Sequence, residues 1–316
     1  MRGISTVVST MVNETPEIPF VDCIQLYFEP SEAICKPEYT HQVFPKGIPD
    51  FNQDIVVRLA PSCRKCTVSF SRKRKLESKS EANDTNEEKA NDDNATMSQS
   101  DILSQLSVAL PEICADSVSD DCAELFPEST VLLDSNDMVM QLVSGSVARD
   151  YHHQVQNLAL FFIENASNVD IASANEGSWK VLYMFQRHDT KYSLAGYMTL
   201  YHFDSPFRKP RAGTIVRICQ VVIFPLNQRQ GHGARMLNVL YDHFQQDDSV
   251  VEINVEDPNP LYTALRLKVD YKHFLETKYS TLDPTTPPTD AEKEDTSTRL
   301  KITTHQAELV HEILRL

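Results

Sequence analysis

The stretch QVVIFPLNQRQGHGARML, residues 220–237, constrains the fold more than any other part of this chain. A β-branched run ends at Pro225, two glycines enclose His232, and a helical pattern follows with Met236, Leu237, Leu240 and Phe244 on one face. The whole chain has only 8 glycines, so a pair at one turn asks for a backbone reason. A strand that turns through glycine into a helix leaves N–H groups unpaired at the helix start, where the helix dipole adds partial positive charge. Such a turn suits an anion that must approach the backbone closely, a pyrophosphate for example. Two familiar phosphate loops are excluded. A Walker-type loop ends in Gly-Lys-Ser/Thr, whereas Gly233 is followed by Ala234 and Arg235, and a dinucleotide fingerprint needs a third spaced glycine.

The pattern around this turn predicts a mixed sheet with helices against it. Residues 150–166 (DYHHQVQNLALFFIENA) read as an amphipathic helix through Val155, Leu158 and Phe162. WKVLYMFQ, SLAGYMTLYHF, TIVRICQVVIF and VVEINV read as strands, the last following the helix after Gly233. At the end, Thr303 and Gln306 stand at capping-box spacing before a stripe of Val310, Ile313 and Leu314. Residues 71–101 carry no aromatic side chain and read as a disordered insert, with a basic run Arg72–Lys75 at its start that could serve nuclear import. The prolines and charges of residues 281–298 argue against a packed element there. The expected division is 1–128 as an N-terminal region holding the insert, 129–275 as the core, and 276–316 as a linker and helix.

Charge and cysteine usage narrow the chemistry. Of 316 residues, 45 are acidic against 30 Lys plus Arg, a net charge of −15 that repels nucleic-acid backbones and favours a basic partner. The 7 cysteines have no framework spacing, which fits reduced thiols in cytosol or nucleus, and no apolar run is long enough to span a bilayer. Cys63 and Cys66 form a lone C-x-x-C and the 10 histidines show no ligand spacing, so no metal site is expected.

Gln228, Gly231 and Gly233, spaced Gln-x-x-Gly-x-Gly at the end of a long strand, resemble the acyl-coenzyme A pyrophosphate loop of the GNAT acetyltransferase superfamily. QGHGARML with VEINVEDPNPLYTALR, GYMTLYHF, FFIENASNVD, GSWKVLYMF, PEYTHQVF and KITTHQAELVHEILRL together resemble the catalytic subunit of type B histone acetyltransferases, which acetylate free histone tails before chromatin assembly. The resemblance implies an α+β fold: a GNAT-like mixed central sheet flanked by helices, a smaller N-terminal α/β region and a short C-terminal helical extension. It implies acetyl-coenzyme A as co-substrate, held by Val221, Val222 and Ile223 and by the loop Gln228, Arg229, Gln230, Gly231, His232, Gly233 and Ala234. Histone N-terminal tails, of the H-four type above all, would be the substrate, with a WD40-repeat histone-binding subunit as partner and nucleus and cytoplasm as location.

Acetyl transfer needs a base, because a lysine amine is protonated near neutrality. The resemblance carries that role onto Glu256, with Asp257 beside it and Glu164 as a third carboxylate whose apolar flank (Phe161, Phe162, Ile163) would raise its pKa. It places histone-tail contacts at Trp179, Tyr201, His202 and Phe203, a core role being the alternative for Trp179, and offers Tyr262 either as a thiolate-protonating phenol or as a residue packed beneath the helix. Arg229 and Arg235 are candidates for added charge toward the phosphates. Cys219 is expected to face the core, so attack should be direct, in a ternary complex. An acyltransferase for another protein or a polyamine, and a non-catalytic acyl-coenzyme A-binding scaffold for histone chaperones, are the alternatives.

Overall fold

The computed structural model describes residues 21–315 apart from 22, 49–50, 52, 73–96, 172–177, 208–211 and 278–284. Most of the 71–101 insert, including the basic run from 73 onward, therefore lies outside the described residues.

An N-terminal sheet holds β1 (Ile24–Phe28), β2 (Gln53–Leu59), β3 (Lys65–Arg72) and, after helix α1 (Gln99–Leu106), the short β4 (Glu112–Ile113), in spatial order β1-β2-β3-β4. Both edges of the supposed insert are thus ordered. β3 runs through Arg72, and Ser98 caps α1 in a full capping box with Asp101. That Ser-x-x-Asp signal sits inside the polar tract and was masked by its composition.

The central sheet has six strands: β5 (Thr130–Asp134), β6 (Met138–Ser144), β7 (Trp179–His188), β8 (Lys191–Ser205), β9 (Gly213–Ile223) and β10 (Val250–Val255), ordered β10-β9-β8-β7-β6-β5. Neighbours are antiparallel except β9 and β10, which run parallel because helix α3 (His232–Gln245) crosses between them. This is the expected mixed α+β architecture.

Alternation along the strands sends two apolar sets to opposite faces. On one face Leu182, Met198, Leu200, Val216, Ile218 and Ile253 pack against Met236, Leu237, Leu240 and Phe244 of α3 and Val269 and Phe274 of α4 (Pro260–Leu275). On the other, Val181, Tyr183, Phe185, Tyr197 and Val222 share one cluster with helix α2 (Gly145–Val155) and with Ile24, Leu26 and Ile55 of the N-terminal sheet. The Tyr151 hydroxyl donates to Ser62 O at 2.7 Å, tying α2 to that sheet.

Three expectations need correction. The helix predicted over 150–166 starts at Gly145 and ends at Val155, and tightens into a 3-10 turn over Gln156–Phe161. Glutamine side chains hold the alternative geometry: Gln156 Oε1 accepts from Val169 N, while Gln42 Nε2 donates to Leu160 O and Ile163 O. Residues 281–298 do contain a packed element, α5 (Asp290–Leu300), whose prolines precede a Thr289–Glu292 capping box. The C-terminal extension is accordingly two helices, α5 and α6 (Thr304–Leu314), not one. It is built into the core through Lys301, whose ammonium donates to Phe244 O and Asp247 O, where α3 ends.

Candidate functional site

β9 changes character halfway along. As far as Ile218 it pairs with both neighbours, the last register partner on β10 being Val255. Glu256 N donates to Ile218 O at 2.9 Å and closes the ladder. From Cys219 to Ile223 the strand keeps β8 but has no β10 partner, so one backbone edge is open. The register with β8 slips between Thr199 and Leu200, leaving Cys219 as the extra residue, and Thr199 Oγ1 accepts from Gln220 N. A bulge reverses the side-chain phase, which is why Ile218 faces α3 while Val222 lies in the opposite cluster. Val222 is buried, and Val221 and Ile223 pack against the α3-side core, so a ligand on this edge would meet backbone rather than side chains.

The glycine turn follows. Gly231 is the N-cap of α3 at φ +82, a left-handed conformation that favours glycine, and no described side chain caps the helix. The first helical bond runs from Arg235 N to Gly231 O, so the N–H groups of His232, Gly233 and Ala234 precede it and face outward along the axis. A Cβ at Gly231 would meet nothing within 4 Å, leaving room for an anion. Gly233 serves a different purpose: its Cβ would come 3.1 Å from Leu265 Cδ1 of α4. It permits close helix packing, a reason the sequence reading did not separate from ligand approach.

Other loop residues are committed elsewhere. Gln228 Nε2 donates to Ile223 O and Gln230 Nε2 to Leu226 O, so both side chains brace the turn. Arg235, a candidate for phosphate contact, instead pairs with Asp137 at 3.1 Å and donates to Ser135 on the β5–β6 hairpin. Arg229 is exposed at φ +61. The His232 imidazole has its pKa lowered, by burial first and by Arg235 second, and so stays neutral beside the loop.

Across the opening stand the carboxylates. Glu256 and Asp257 are exposed in the turn after β10, and Asp257 holds a positive φ of 36, a strained conformation at the strand end. On the same sheet face, Trp179 packs on Tyr201 with centroids 4.8 Å apart and Tyr201 stacks with Phe203 at 6.1 Å. Arg217 lies over Phe203 at 5.1 Å and donates to Asn254 Oδ1. His202 departs from this group. Alternation turns it to the α3 side, where it packs edge-on against Phe244 at 5.3 Å and burial drives its pKa down to about 4. A run of neighbouring letters had merged two faces.

Glu164 is also placed differently than expected. Phe161 points into the core while Glu164 stands exposed near Tyr39, so no apolar enclosure surrounds its carboxylate. Its loop is nonetheless brought to the site, because Gln220 Nε2 donates to Ser167 O at 2.6 Å. Cys219, expected in the core, is half-buried on the open face. Its thiol donates to Arg217 O at 3.7 Å, and its pKa is pushed up to about 12, first by burial and then by the nearby Glu256 carboxylate. Arg217, Cys219, Gln220 and Asn254 are the members that sequence reasoning missed; the bulge that aims them has no single-sequence signal. Tyr262 opens α4 with its hydroxyl buried and unpartnered among the described residues, and burial raises its pKa. Among the described residues no cluster of side chains could hold a metal.

The arrangement suits a pantetheine diphosphate: an open strand edge for amides, an uncapped helix start for phosphates, and carboxylates opposite. No family model matches the chain. The chain is 32% identical over 128 residues to the histone acetyltransferase type B catalytic subunit of Schizosaccharomyces pombe, covering 40% of this chain and 33% of that protein. Against the Homo sapiens protein of the same description the figures are 31% over 122 residues, 37% and 27%. The chain is thus related to these subunits over part of its length, and its match spans about a third of theirs (33% and 27%). Among solved structures, an aminoglycoside acetyltransferase from an uncultured soil metagenomic sample matches with 14% identity and a TM-score of 0.32 over 47% of this chain and 92% of that one. The xEco2 acetyltransferase domain matches with 12% identity and a TM-score of 0.31 over 46% and 92%.

Proposed function

We propose that this chain transfers the acetyl group of acetyl-coenzyme A to lysine side chains in the N-terminal tails of free histones, those of the H-four type in particular. The observation that carries this reading is the parting of β9 from β10 after Ile218, which gathers a free strand edge, the α3 N-terminus and Glu256 around one opening. The likeness to type B histone acetyltransferase catalytic subunits supports the substrate class.

Acetyl-coenzyme A supplies an activated thioester when bound. The backbone of Val221–Ile223 would hydrogen-bond its pantetheine arm, and the N–H groups from Gln228 to Ala234, centred on Gly231, would hold its pyrophosphate. Glu256 accepts the proton from the substrate ammonium, freeing the nitrogen lone pair for direct attack. Glu164 shares that task from the loop tied to Gln220, and Asp257 supports the turn. Trp179, Tyr201 and Phe203 lay an aromatic wall beside the lysine methylenes, with Glu256 at its end. Tyr262, whose hydroxyl is buried where the side chain packs against the α3-side core, is not assigned the protonation of the leaving thiolate. The raised pKa of the half-buried Cys219 thiol is consistent with direct transfer rather than with an acyl-enzyme. A net charge of −15 favours encounter with a basic tail. A WD40-repeat histone-binding subunit is the proposed partner, and nucleus and cytoplasm the proposed location.

A panel of tail peptides with labelled acetyl-coenzyme A tests the reading. Transfer to the H-four tail above other tails and above spermidine supports it. Preferred transfer to a polyamine, or tight cofactor binding without transfer to any acceptor, overturns it.

A further inference from the structure

β10 is the edge strand of the central sheet, and Glu256 follows directly at its end. An edge strand turns alternate backbone N–H and C=O groups away from its one neighbour. Glu256 N points inward to Ile218 O, so the backbone of Ile253, three residues back, points outward. Both outward groups of Ile253 are taken. Its N–H donates to Lys301 O at 2.6 Å, at the bend between α5 and α6. Its carbonyl accepts from Arg266 Nη2 of α4 at 2.9 Å. Arg266 Nε lies 3.3 Å from the Tyr241 hydroxyl of α3 and 3.4 Å from Asp270 Oδ2, one turn further along α4. That carboxylate oxygen accepts in turn from Gln306 Nε2 of α6 at 2.7 Å. Arg266, Asp270 and Gln306 are all buried.

A buried ion pair is weak ground for stability, because desolvating two charges offsets their attraction. Apolar side chains of like volume often replace such a pair without loss. This pair does what an apolar patch would not: it delivers a donor to a β10 carbonyl. We infer that Arg266, Asp270 and Gln306 are positioning residues for Glu256, gripping β10 from its outer edge where it is about to part from β9. Arg266 holds Ile253 O, Asp270 and Gln306 aim the guanidinium, and Lys301 O holds Ile253 N. Glu256 stands three residues, about 10 Å, beyond this grip. On the inner side its own N–H makes the last bond to β9, at Ile218 O. The outer grip therefore sets how far the strand end, with its carboxylate, stands from the open half of β9. Lys301 and Gln306 both belong to the C-terminal extension, which makes α5 and α6 part of the site's framework. This inference rests on the acetyltransferase reading for its kinetic consequence, but the grip itself does not.

The test separates position from stability. The triple variant Arg266→Met/Asp270→Leu/Gln306→Leu removes the polar chain as a unit and keeps its volume, so the core should survive. Hydrogen exchange read by mass spectrometry should speed up about 10-fold in residues 250–256, the scale of one hydrogen bond to a charged group, and hold in residues 213–218. In transfer to a histone-tail peptide, well below the melting temperature, kcat should fall by roughly 5–20-fold, less than the cost of a 1 Å misplacement. KM for acetyl-coenzyme A and for the peptide should stay within about 2-fold, since the loss is in the transition state. Arg266→Lys, which keeps a charge for Asp270 and a donor for Ile253 O, should recover most of kcat. Should the triple variant not fold, Gln306→Leu alone carries the same test, with kcat down about 2–5-fold. An unchanged kcat in a folded variant overturns the inference, as does unchanged exchange in residues 250–256 or a Lys variant no better than the triple. If wild type transfers no acetyl group while exchange in residues 250–256 speeds up, the functional reading falls and the grip stands.

Discussion

The two halves of β9 differ in what their backbones do. From Gly213 to Ile218 the strand is gripped on both sides, and its side chains at Ile215, Val216 and Ile218 are buried. From Cys219 to Ile223 it is gripped on one side only, and around that free edge stand the α3 N-terminus, Glu256 and the loop bearing Glu164. A paired edge satisfies backbone groups and contributes stability; an unpaired one leaves donors and acceptors for a ligand. The first half should therefore respond to mutation in stability, and the second in turnover and affinity.

The largest effect is expected at the boundary. Glu256→Gln keeps shape and removes the proton acceptor, so turnover should fall by about 10²-fold or more, the usual scale for a general base. The residue is exposed, so the melting temperature should hold. The deficit should shrink as pH rises and the substrate amine deprotonates unaided. Glu164→Gln should act in the same direction more weakly, with the double variant less than additive if the two share the task. Wild-type turnover in Glu256→Gln would move the base to Glu164 or Asp257.

The paired half is probed by Gly213→Ala. An added Cβ would stand 2.4 Å from Val251 Cγ1 and 2.7 Å from Ser249 O, and the second of these is backbone that cannot rotate away. A stability loss of about 1–3 kcal/mol is expected, the scale of overpacking, read as a lower melting temperature at unchanged cofactor affinity. A weaker cofactor affinity at unchanged melting temperature would break the division between the halves.

Gly233→Val separates two reasons for one glycine. The sequence suggests that any side chain here blocks the ligand, yet the Cβ points at Leu265 of α4. The expected outcome is a modest stability loss, about 1 kcal/mol as Leu265 shifts, with cofactor affinity in calorimetry falling only a few-fold. Abolished binding in a fully stable protein would restore the original reason.

These contrasts mark what the sequence could tell. Strands, the α3 face and the turn were legible because periodicity and glycine are local signals. The open half of β9 was not, since pairing with β10 is set by long-range register, and Cys219 appears as an ordinary strand letter until the bulge re-aims it. His202 was grouped with Tyr201 and Phe203 because adjacency in sequence hid alternation across the sheet. α5 was lost for the opposite reason. Three prolines dominated the reading of a segment whose Thr289–Glu292 capping box, just beyond them, starts a helix.

The last contrast is the most discriminating for the turn. Gly231 sits at φ +82 with nothing within 4 Å of a would-be Cβ, so conformation and ligand approach are its two possible constraints. Alanine in a left-handed conformation costs about 1–2 kcal/mol, whereas asparagine tolerates that region better. If conformation dominates, Gly231→Ala should weaken acetyl-coenzyme A binding by roughly 5–10-fold, the equivalent of about 1 kcal/mol, and Gly231→Asn should recover most of it. If ligand approach dominates, the larger Asn should be worse than Ala, because its side chain enters the space left for the pyrophosphate. Equal, wild-type affinity in both variants would show that neither constraint operates and would remove the α3 N-terminus from the binding site.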